Sequence, residues 1–172
     1  MHKKNDKTLT TARLCLRSIQ SDDRDDFGKI LTNQEIAKTY MLPDFQSEAE
    51  VTKLFERLKT LSEDTAHFVY GIDFQGHIIG YLNDVVITDD TIEMGYVVHP
   101  DHKSKGFATE AFGAVIQALF RAGFRTVTAG AFTENPASFR VMEKCGMTKI
   151  DLEEDIDYRG QKHHCLYYAK ER

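Results

Sequence analysis

Between residues 107 and 120 the apolar side chains come in pairs: Phe107 and Ala108, Ala111 and Phe112, Val115 and Ile116, Leu119 and Phe120. Pairs repeating at three- and four-residue intervals lay one stripe along an α-helix and fit no strand, whose side chains alternate. Arg121 and Gly123 close the pattern with a cation and a glycine, residues suited to a helix C-terminus. Thr91 to Val98, before this helix, and Thr126 to Phe132, after it, are short and rich in strand-forming residues. Strand, helix and strand in that order belong to a layered α and β architecture.

The remaining segments extend the pattern. Leu9 to Ile19 alternates Leu14, Leu16 and Ser18 with Arg13, Cys15 and Arg17 and predicts a first strand. Ser21 followed by Asp22, Asp23 and Asp25 predicts a helix start, with acids at the positive end of its dipole, running to about Leu31. Pro43 interrupts the next stretch, and Ser47 opens a second helix with Val51, Leu54, Phe55, Leu58 and Leu61 on one face. His67 to Ile72, Ile78 to Ile87 and Thr91 to Val98 predict three antiparallel strands joined by turns at Gln75-Gly76 and Asp89-Asp90. Asn135-Pro136 predicts a capped helix ending near Cys145 and Gly146. A last hairpin turns at Tyr158-Arg159-Gly160, between Lys149 to Asp157 and His163 to Lys170. The expected fold class is α+β, in the order β-α-α-β-β-β-α-β-α-β-β. Residues 1–8 form a polar tail and 9–172 a single domain, a size that buries a substantial core.

Composition excludes several functions. No stretch approaches the roughly 20 apolar residues of a membrane span, and the polar opening MHKKNDK is no signal peptide, so no membrane partner and a cytoplasmic location are expected. Cys15, Cys145 and Cys165 are odd in number and far apart, which suggests neither a disulfide framework nor a zinc site. His99 and His102 are separated by Pro100, with no third ligand apparent, and no metal is expected. A formal charge of −5 opposes direct nucleic acid binding and favours cationic partners.

The segment from Tyr96 to Glu110 carries the most chemistry. A helix N-terminus presents unpaired N–H groups and a positive dipole end, a glycine lets an anion approach the backbone, and Lys103 and Lys105 add positive charge. A phosphate cradle and an ordinary strand-to-helix turn both fit this stretch. It is neither a Walker A loop nor a G-x-G-x-x-G fingerprint.

Here the chain resembles the GNAT superfamily of N-acetyltransferases, whose cofactor loop reads [QR]-x-x-G-x-[GA] after a strand ending V-x-P. Lys103-Ser104-Lys105-Gly106-Phe107-Ala108 stands in that place after Val98-His99-Pro100, with Lys103 where the family has Gln or Arg. Asn135-Pro136-Ala137-Ser138 followed by Glu143-Lys144-Cys145-Gly146-Met147 resembles the N-x-x-S and E-K-x-G-[FM] elements of the ribosomal-protein alanine N-acetyltransferase branch. Ile92-Glu93-Met94-Gly95-Tyr96 and Ala108-Thr109-Glu110-Ala111 resemble its E-x-G-Y and A-T-E-A stretches.

The resemblance implies a mixed, mostly antiparallel sheet flanked by helices, with acetyl-CoA as co-substrate and an amine as acceptor. Tyr96, Val97 and Val98 would pair with the pantetheine arm. Lys103, Ser104, Lys105, Gly106, Phe107, Ala108 and Thr109 would hold the pyrophosphate, and Asn135 and Ser138 would lie near the sulfur. Glu93 is the candidate general base and Ser138 the candidate acid, each with an ordinary structural reading beside it: an exposed strand carboxylate for Glu93, a hydroxyl bonding the first helical turn for Ser138. Asn135 before Pro136 caps a helix with or without a ligand.

The acceptor is expected to be a protein N-terminus or a small cationic molecule such as a polyamine or aminoglycoside. A sensor that binds acyl-CoA without turnover is the reading from another class, and a homodimer is compatible with the sequence. Between residues 21 and 50, Asp22, Asp23, Asp25, Asp26, Glu35, Asp44, Glu48 and Glu50 outnumber Arg24, Lys29 and Lys38, and residues 151–157 add further acids. If those segments flank the acceptor, they would attract an ammonium group; a plain solvated surface is the commoner meaning of such runs.

Overall fold

The helix announced by the apolar pairs buries Phe107, Ala111, Phe112, Val115, Ile116, Ala118, Leu119 and Phe120. The computed structural model describes residues 4–172. Its elements are β1 (Thr8–Thr10), β2 (Cys15–Arg17), α1 (Arg24–Leu31), α2 (Gln34–Thr39), α3 (Glu48–Glu63), β3 (Tyr70–Phe74), β4 (His77–Ile87), β5 (Thr91–Val98), α4 (Phe107–Ala122), β6 (Thr126–Phe132), α5 (Pro136–Lys144), β7 (Thr148–Tyr158) and β8 (Gln161–Glu171). Short 3-10 turns occupy Ser21–Asp23 and Pro100–His102. All eight strands form one sheet in the order β1-β2-β3-β4-β5-β6-β8-β7. Every neighbouring pair is antiparallel except β5 and β6. The expected α+β class with a mixed, mostly antiparallel sheet is what the chain adopts.

The two sheet faces bury different helices. Phe112, Val115, Ile116 and Leu119 of α4 pack on Leu82, Ile92, Met94, Val127 and Ala129. On the opposite face Phe27 and Ile30 of α1 and Phe55 of α3 pack on Ile78, Tyr81 and Val97. A smaller group, Phe132, Cys165 and Tyr167, lies on that second face further along the sheet. Each such buried side chain contributes roughly 1.5–3 kcal/mol, which makes these layers the source of the fold's stability.

Four local expectations are corrected. The single first strand is two: Thr11 turns the chain back, its hydroxyl accepting from the Leu14 N–H at 3.0 Å, and Leu9 pairs with Leu16. A straight strand would send Leu9 to the face opposite Leu14 and Leu16, whereas all three belong to one core cluster. The helix α2 was not expected, because six residues are too few to show a period; Asn33 caps it, its side chain accepting from the Glu35 and Ile36 N–H groups at 3.0 Å. The strand expected from His67 starts at Tyr70, since the Asp84 carboxylate takes the Phe68 N–H at 2.7 Å and His67 at 3.0 Å in place of ladder bonds. The expected polar tail is packed from Asn5 onward: Asn5 donates to the His67 carbonyl at 2.8 Å, and Lys7 to that of Ser62 at 2.9 Å.

One long-range tie crosses the second face. The short α2 leaves carbonyls at its C-terminus without intrahelical donors. Tyr158, at the tip of the β7–β8 hairpin, donates its hydroxyl to the Ala37 carbonyl at 2.7 Å and accepts from the Leu42 N–H at 3.2 Å. Arg159 beside it donates to the Pro43 carbonyl at 3.0 Å. Tyr158→Phe leaves these backbone groups without their partner, and we expect a loss of about 1–2 kcal/mol, seen as a lower urea midpoint at unchanged slope. An unchanged midpoint would show that solvent replaces the phenol without cost.

Candidate functional site

β5 and β6 run side by side for only three residue pairs, Thr91 with Thr126, Ile92 with Val127 and Glu93 with Thr128. Beyond Glu93, β5 stays paired with β4 as far as Val98, while β6 follows β8 as far as Phe132. The strands therefore part, and the β6-facing edge of Met94–Val98 is free of ladder partners. A bulge in β4 between Asp84 and Val86 lies opposite Glu93 and Met94, at the point of parting. Bulges sharpen strand twist, which is the local cause of the divergence.

A cavity of about 470 Å³ opens beside this free edge. Its walls are Tyr96, Val97 and Val98 of β5, the loop and helix start from His102 to Thr109, the face of α5 carrying Asn135, Ser138, Arg140 and Lys144, and Glu35, Ile36, Thr39 and Tyr40 of α2. Two residues of the loop have positive φ, Ser104 at 59° and Gly106 at 80°. Such alternation turns consecutive N–H groups to one side and forms an anion-binding concavity. Glu110 N–H to Gly106 carbonyl, at 3.0 Å, is the first bond of α4, so the amides of Phe107, Ala108 and Thr109 precede the intrahelical ladder. The first turn of α4 is braced from outside, where Glu110 accepts from Thr11 Oγ1 at 2.7 Å and from Arg13 N and Nε at 2.8 and 2.7 Å. At Gly106 a Cβ would meet only Arg13 Nη2, at 3.4 Å, so its glycine is required by φ and not by crowding inside the fold.

Tyr96 points into the α4 and α5 side of the cleft. Its ring packs against Phe112 in a tilted arrangement with centroids 4.6 Å apart, and its hydroxyl lies 2.7 Å from Ser138 Oγ and 3.0 Å from the Ser138 carbonyl. Burial raises the Tyr96 phenol, so it stays protonated. Asn135 caps α5 by accepting from the Ser138 N–H at 3.3 Å. Its capping role thus stands, at the rim of the cavity.

Glu93 occupies the vertex but the other face. Side chains alternate along β5, so Glu93 shares its face with Gly95 and Val97, whereas Met94 and Tyr96 face α4. It is not among the residues lining the cavity. Burial first, and the charge of Glu154 second, raise its carboxyl above the ordinary glutamate range. Glu154 itself accepts a hydrogen bond from Tyr167. Close by, Tyr40 donates to Asn83 Oδ1 at 2.6 Å, and a Cβ at Gly95 would come within 3.2 Å of both. Burial pushes the Tyr40 phenol up to about 12, leaving it a neutral donor.

The cavity brings together Tyr96, Val97, Val98, Lys103, Ser104, Gly106, Phe107, Ala108, Thr109, Asn135 and Ser138. Lys105 is outside it and leans toward the Asp101 carbonyl, at 3.5 Å. The Phe107 ring is core, packed on Phe74 at 4.7 Å, so that residue offers only its backbone. Thr39, Tyr40, Arg140 and Lys144 escaped the sequence reading as cavity walls; the first two sit at the end of the unrecognised α2, while Arg140 and Lys144 were legible as an i, i+4 pair on α5. The acids expected to flank the acceptor are in part committed internally: Asp23 to Arg17, Asp26 to the Ile78 N–H, Glu35 to Lys103 and Glu48 to Arg24. Among the described residues no three His, Cys, Asp or Glu side chains gather as metal ligands, and no helix is long and apolar enough to cross a membrane.

Comparison with known proteins places this geometry. The model of the acetyltransferase (GNAT) domain matches residues 13–148. The chain is 28% identical over 146 residues to the uncharacterised N-acetyltransferase YoaA of Bacillus subtilis, covering 82% of each. Among solved structures it is similar to the microcin C7 self-immunity acetyltransferase MccE in complex with acetyl-CoA and AMP, with TM-score 0.84, 17% identity and 99% coverage of both chains. It is similar also to RimL, the ribosomal L7/L12 α-N-protein acetyltransferase, with TM-score 0.84, 18% identity, and coverage of 96% of this chain and 94% of that one. The chain belongs to the GNAT family and is an acetyl-CoA-dependent N-acetyltransferase.

Proposed function

We propose that this enzyme acetylates the α-amine of a protein N-terminus, with Glu93 as general base and the Tyr96–Ser138 pair on the leaving-group side. The observation that carries this reading is Glu93 at the vertex of the parted strands, half-buried and raised by Glu154, on the face opposite Tyr96 and Ser138. A base and an acid on opposite sides of one opening suit an amine arriving from one face and a thiolate departing on the other. The Tyr158–Arg159 tip bridging to α2 covers the acceptor side, which favours an extended chain end over a broad polycyclic amine.

The residues present fit coenzyme A: two positive-φ positions make a cradle, and a free strand edge runs from it toward Tyr96. When bound, acetyl-CoA supplies the activated acyl carbon. The amides from Lys103 to Thr109 bind its pyrophosphate, and the unpaired edge of Met94–Val98 orients its amide-bearing arm. A backbone N–H of that edge, near Tyr96 or Val97, polarises the acyl carbonyl. An alkylammonium must lose a proton before it can attack, and Glu93 takes it directly or through water. Ser138 and Tyr96 share a hydrogen bond, so with the phenol donating to its oxygen the serine hydroxyl would donate a hydrogen bond to the departing sulfur, which would leave as a thiolate and take its proton from solvent.

A panel of N-terminal peptides, linear polyamines and aminoglycosides, followed by thiol release, tests the acceptor class. Peptide turnover with idle aminoglycosides supports the proposal, and the reverse order of preference overturns it. In the same assay Glu93→Gln should lower kcat/KM by roughly 10²-fold or more and remove its acid limb. Since the Glu93 carboxyl is raised, that limb in the wild type should have its midpoint above an ordinary glutamate's. Wild-type turnover by Glu93→Gln would transfer the proton step to water. Ser138→Ala should cost about tenfold, since a thiolate leaves readily and Tyr96 remains. Gly106→Val should abolish acetyl-CoA binding by calorimetry, because a β-branched residue penalises the positive φ of the cradle; unchanged affinity in a folded variant would remove the loop from the binding site.

A further inference from the structure

Gly130 of β6 leaves a space that one side chain fills. It pairs with Tyr167 of β8, and a Cβ there would lie 2.6 Å from Tyr167 Cε1 and 2.9 Å from its Cδ1. The Gly130 backbone is not in the left-handed region, so it is the missing Cβ that matters. The Tyr167 ring rests against this bare stretch of β6, with 7% of its surface exposed. From there its hydroxyl donates to Glu154, an exposed carboxylate of β7, the strand on the other side of β8.

The same side of the sheet carries Glu93. Glu93 pairs with Thr128 of β6, Gly130 with Tyr167, and Cys165 with Glu154. Paired positions share a face and so do positions two apart, which puts Glu93, Tyr167 and Glu154 together. The other groups around Glu93 carry no charge toward it. Its paired neighbours are Val86 and Thr128, and Asp84, across the bulge in β4, is turned to His67 and the Phe68 N–H. Burial pushes the Tyr40 phenol, beyond Gly95, up to about 12 and raises Cys165 and Tyr167 as well, so all three stay protonated. Glu154 is then the charge that acts on Glu93, and together with burial it makes that carboxyl hold its proton more tightly.

We propose that Tyr167 is a positioning residue of this enzyme: seated on Gly130, it holds the Glu154 carboxylate over the sheet toward Glu93. The proposal rests on Glu93 being the general base. Glu154 is exposed, so without a donor its side chain turns to water, where solvent and salt screen its charge from Glu93. A buried phenol bonded to it keeps the charge on the Glu93 side of β7. A base that binds its proton more tightly takes one from an ammonium more readily. Tyr167 thus acts through Glu154 and Glu93.

NMR titration of the glutamate side-chain carboxyls reads this without turnover, the Glu93 signal being assigned by its loss in Glu93→Gln. Glu154→Gln keeps an acceptor for Tyr167 and removes the charge, and the Glu93 midpoint should fall toward that of an ordinary glutamate. Tyr167→Phe keeps the charge and removes the donor, and the midpoint should fall the same way. The sign follows from the cause, since taking a negative neighbour away eases ionisation. Glu154 is exposed, so Glu154→Gln is expected to melt with the wild type. A Glu93 midpoint unmoved in Glu154→Gln overturns the proposal. So does one that falls in Glu154→Gln and stays in folded Tyr167→Phe, because Glu154 then needs no holding. The acid limb of kcat/KM should move with the NMR midpoint in both variants. A limb that stays while the midpoint moves would confirm the arrangement and overturn the reading of Glu93 as the base.

Discussion

The parting of β5 from β6 is the constraint on which the rest of this molecule depends. A parallel pair held by three residue positions and then released leaves a strand edge whose N–H and carbonyl groups have no neighbour in the sheet. Inside a protein such groups must find partners, and edges left open are templates for another extended chain. The bulge in β4 and the continuous pairing of β6 with β8 pull the two strands to opposite sides. Placed over the gap, α5 carries Asn135 and Ser138 at its start, and its cap and the Tyr96–Ser138 bond hold that end in register. The cleft is thus a consequence of sheet geometry, and the side chains decorate it.

Alternation along β5 divides the chemistry between two environments. Met94 and Tyr96 belong to the face packed by α4 and α5, and Gly95 and Val97 to the face packed by α1, α2 and α3. Glu93, at the last paired position, borders the second. Burial and Glu154 act on it together, since a carboxylate that is poorly solvated and near another negative charge holds its proton more tightly. Such a group is a better proton acceptor than a free surface glutamate. The Tyr158 tie then fixes how closely the hairpin tip approaches the end of α2 above that face.

Much of this was legible in the sequence, and the failures have physical causes. The paired apolar residues of α4, the glycine after it, and Asn135-Pro136 specify their elements locally, because capping and periodicity act over a few residues. On its residues alone the loop around Gly106 stayed open between a phosphate cradle and an ordinary turn, and the resemblance to the GNAT superfamily is what implied a cofactor there. The reversal at Thr11 was hidden because Leu9 and Leu16 meet through a turn with no Gly or Pro, made by a threonine hydroxyl. Six residues of α2 gave no period, and with them went Thr39 and Tyr40 as cavity walls. Glu93 was expected as the base on the strand that leads to the cofactor loop, and strand parity places it on the opposite face from Tyr96; a period of two over Thr91–Val98 holds that information. The acidic run after Ser21 was read as a surface, whereas Asp23 is buried, accepting from Arg17 at 2.8 and 3.0 Å. Sequence reports the charge and is silent on the partner when the partner comes from another element.

The central claim is that the free edge of β5 and the start of α4 together receive acetyl-CoA. Backbone hydrogen exchange with and without saturating acetyl-CoA examines it at the amides themselves. The account predicts new protection confined to residues 94–98, 103–109 and the first turn of α5, with β1, β2 and α1 unchanged. Protection that leaves residues 94–98 and 103–109 untouched, or that falls elsewhere on the molecule, would contradict it.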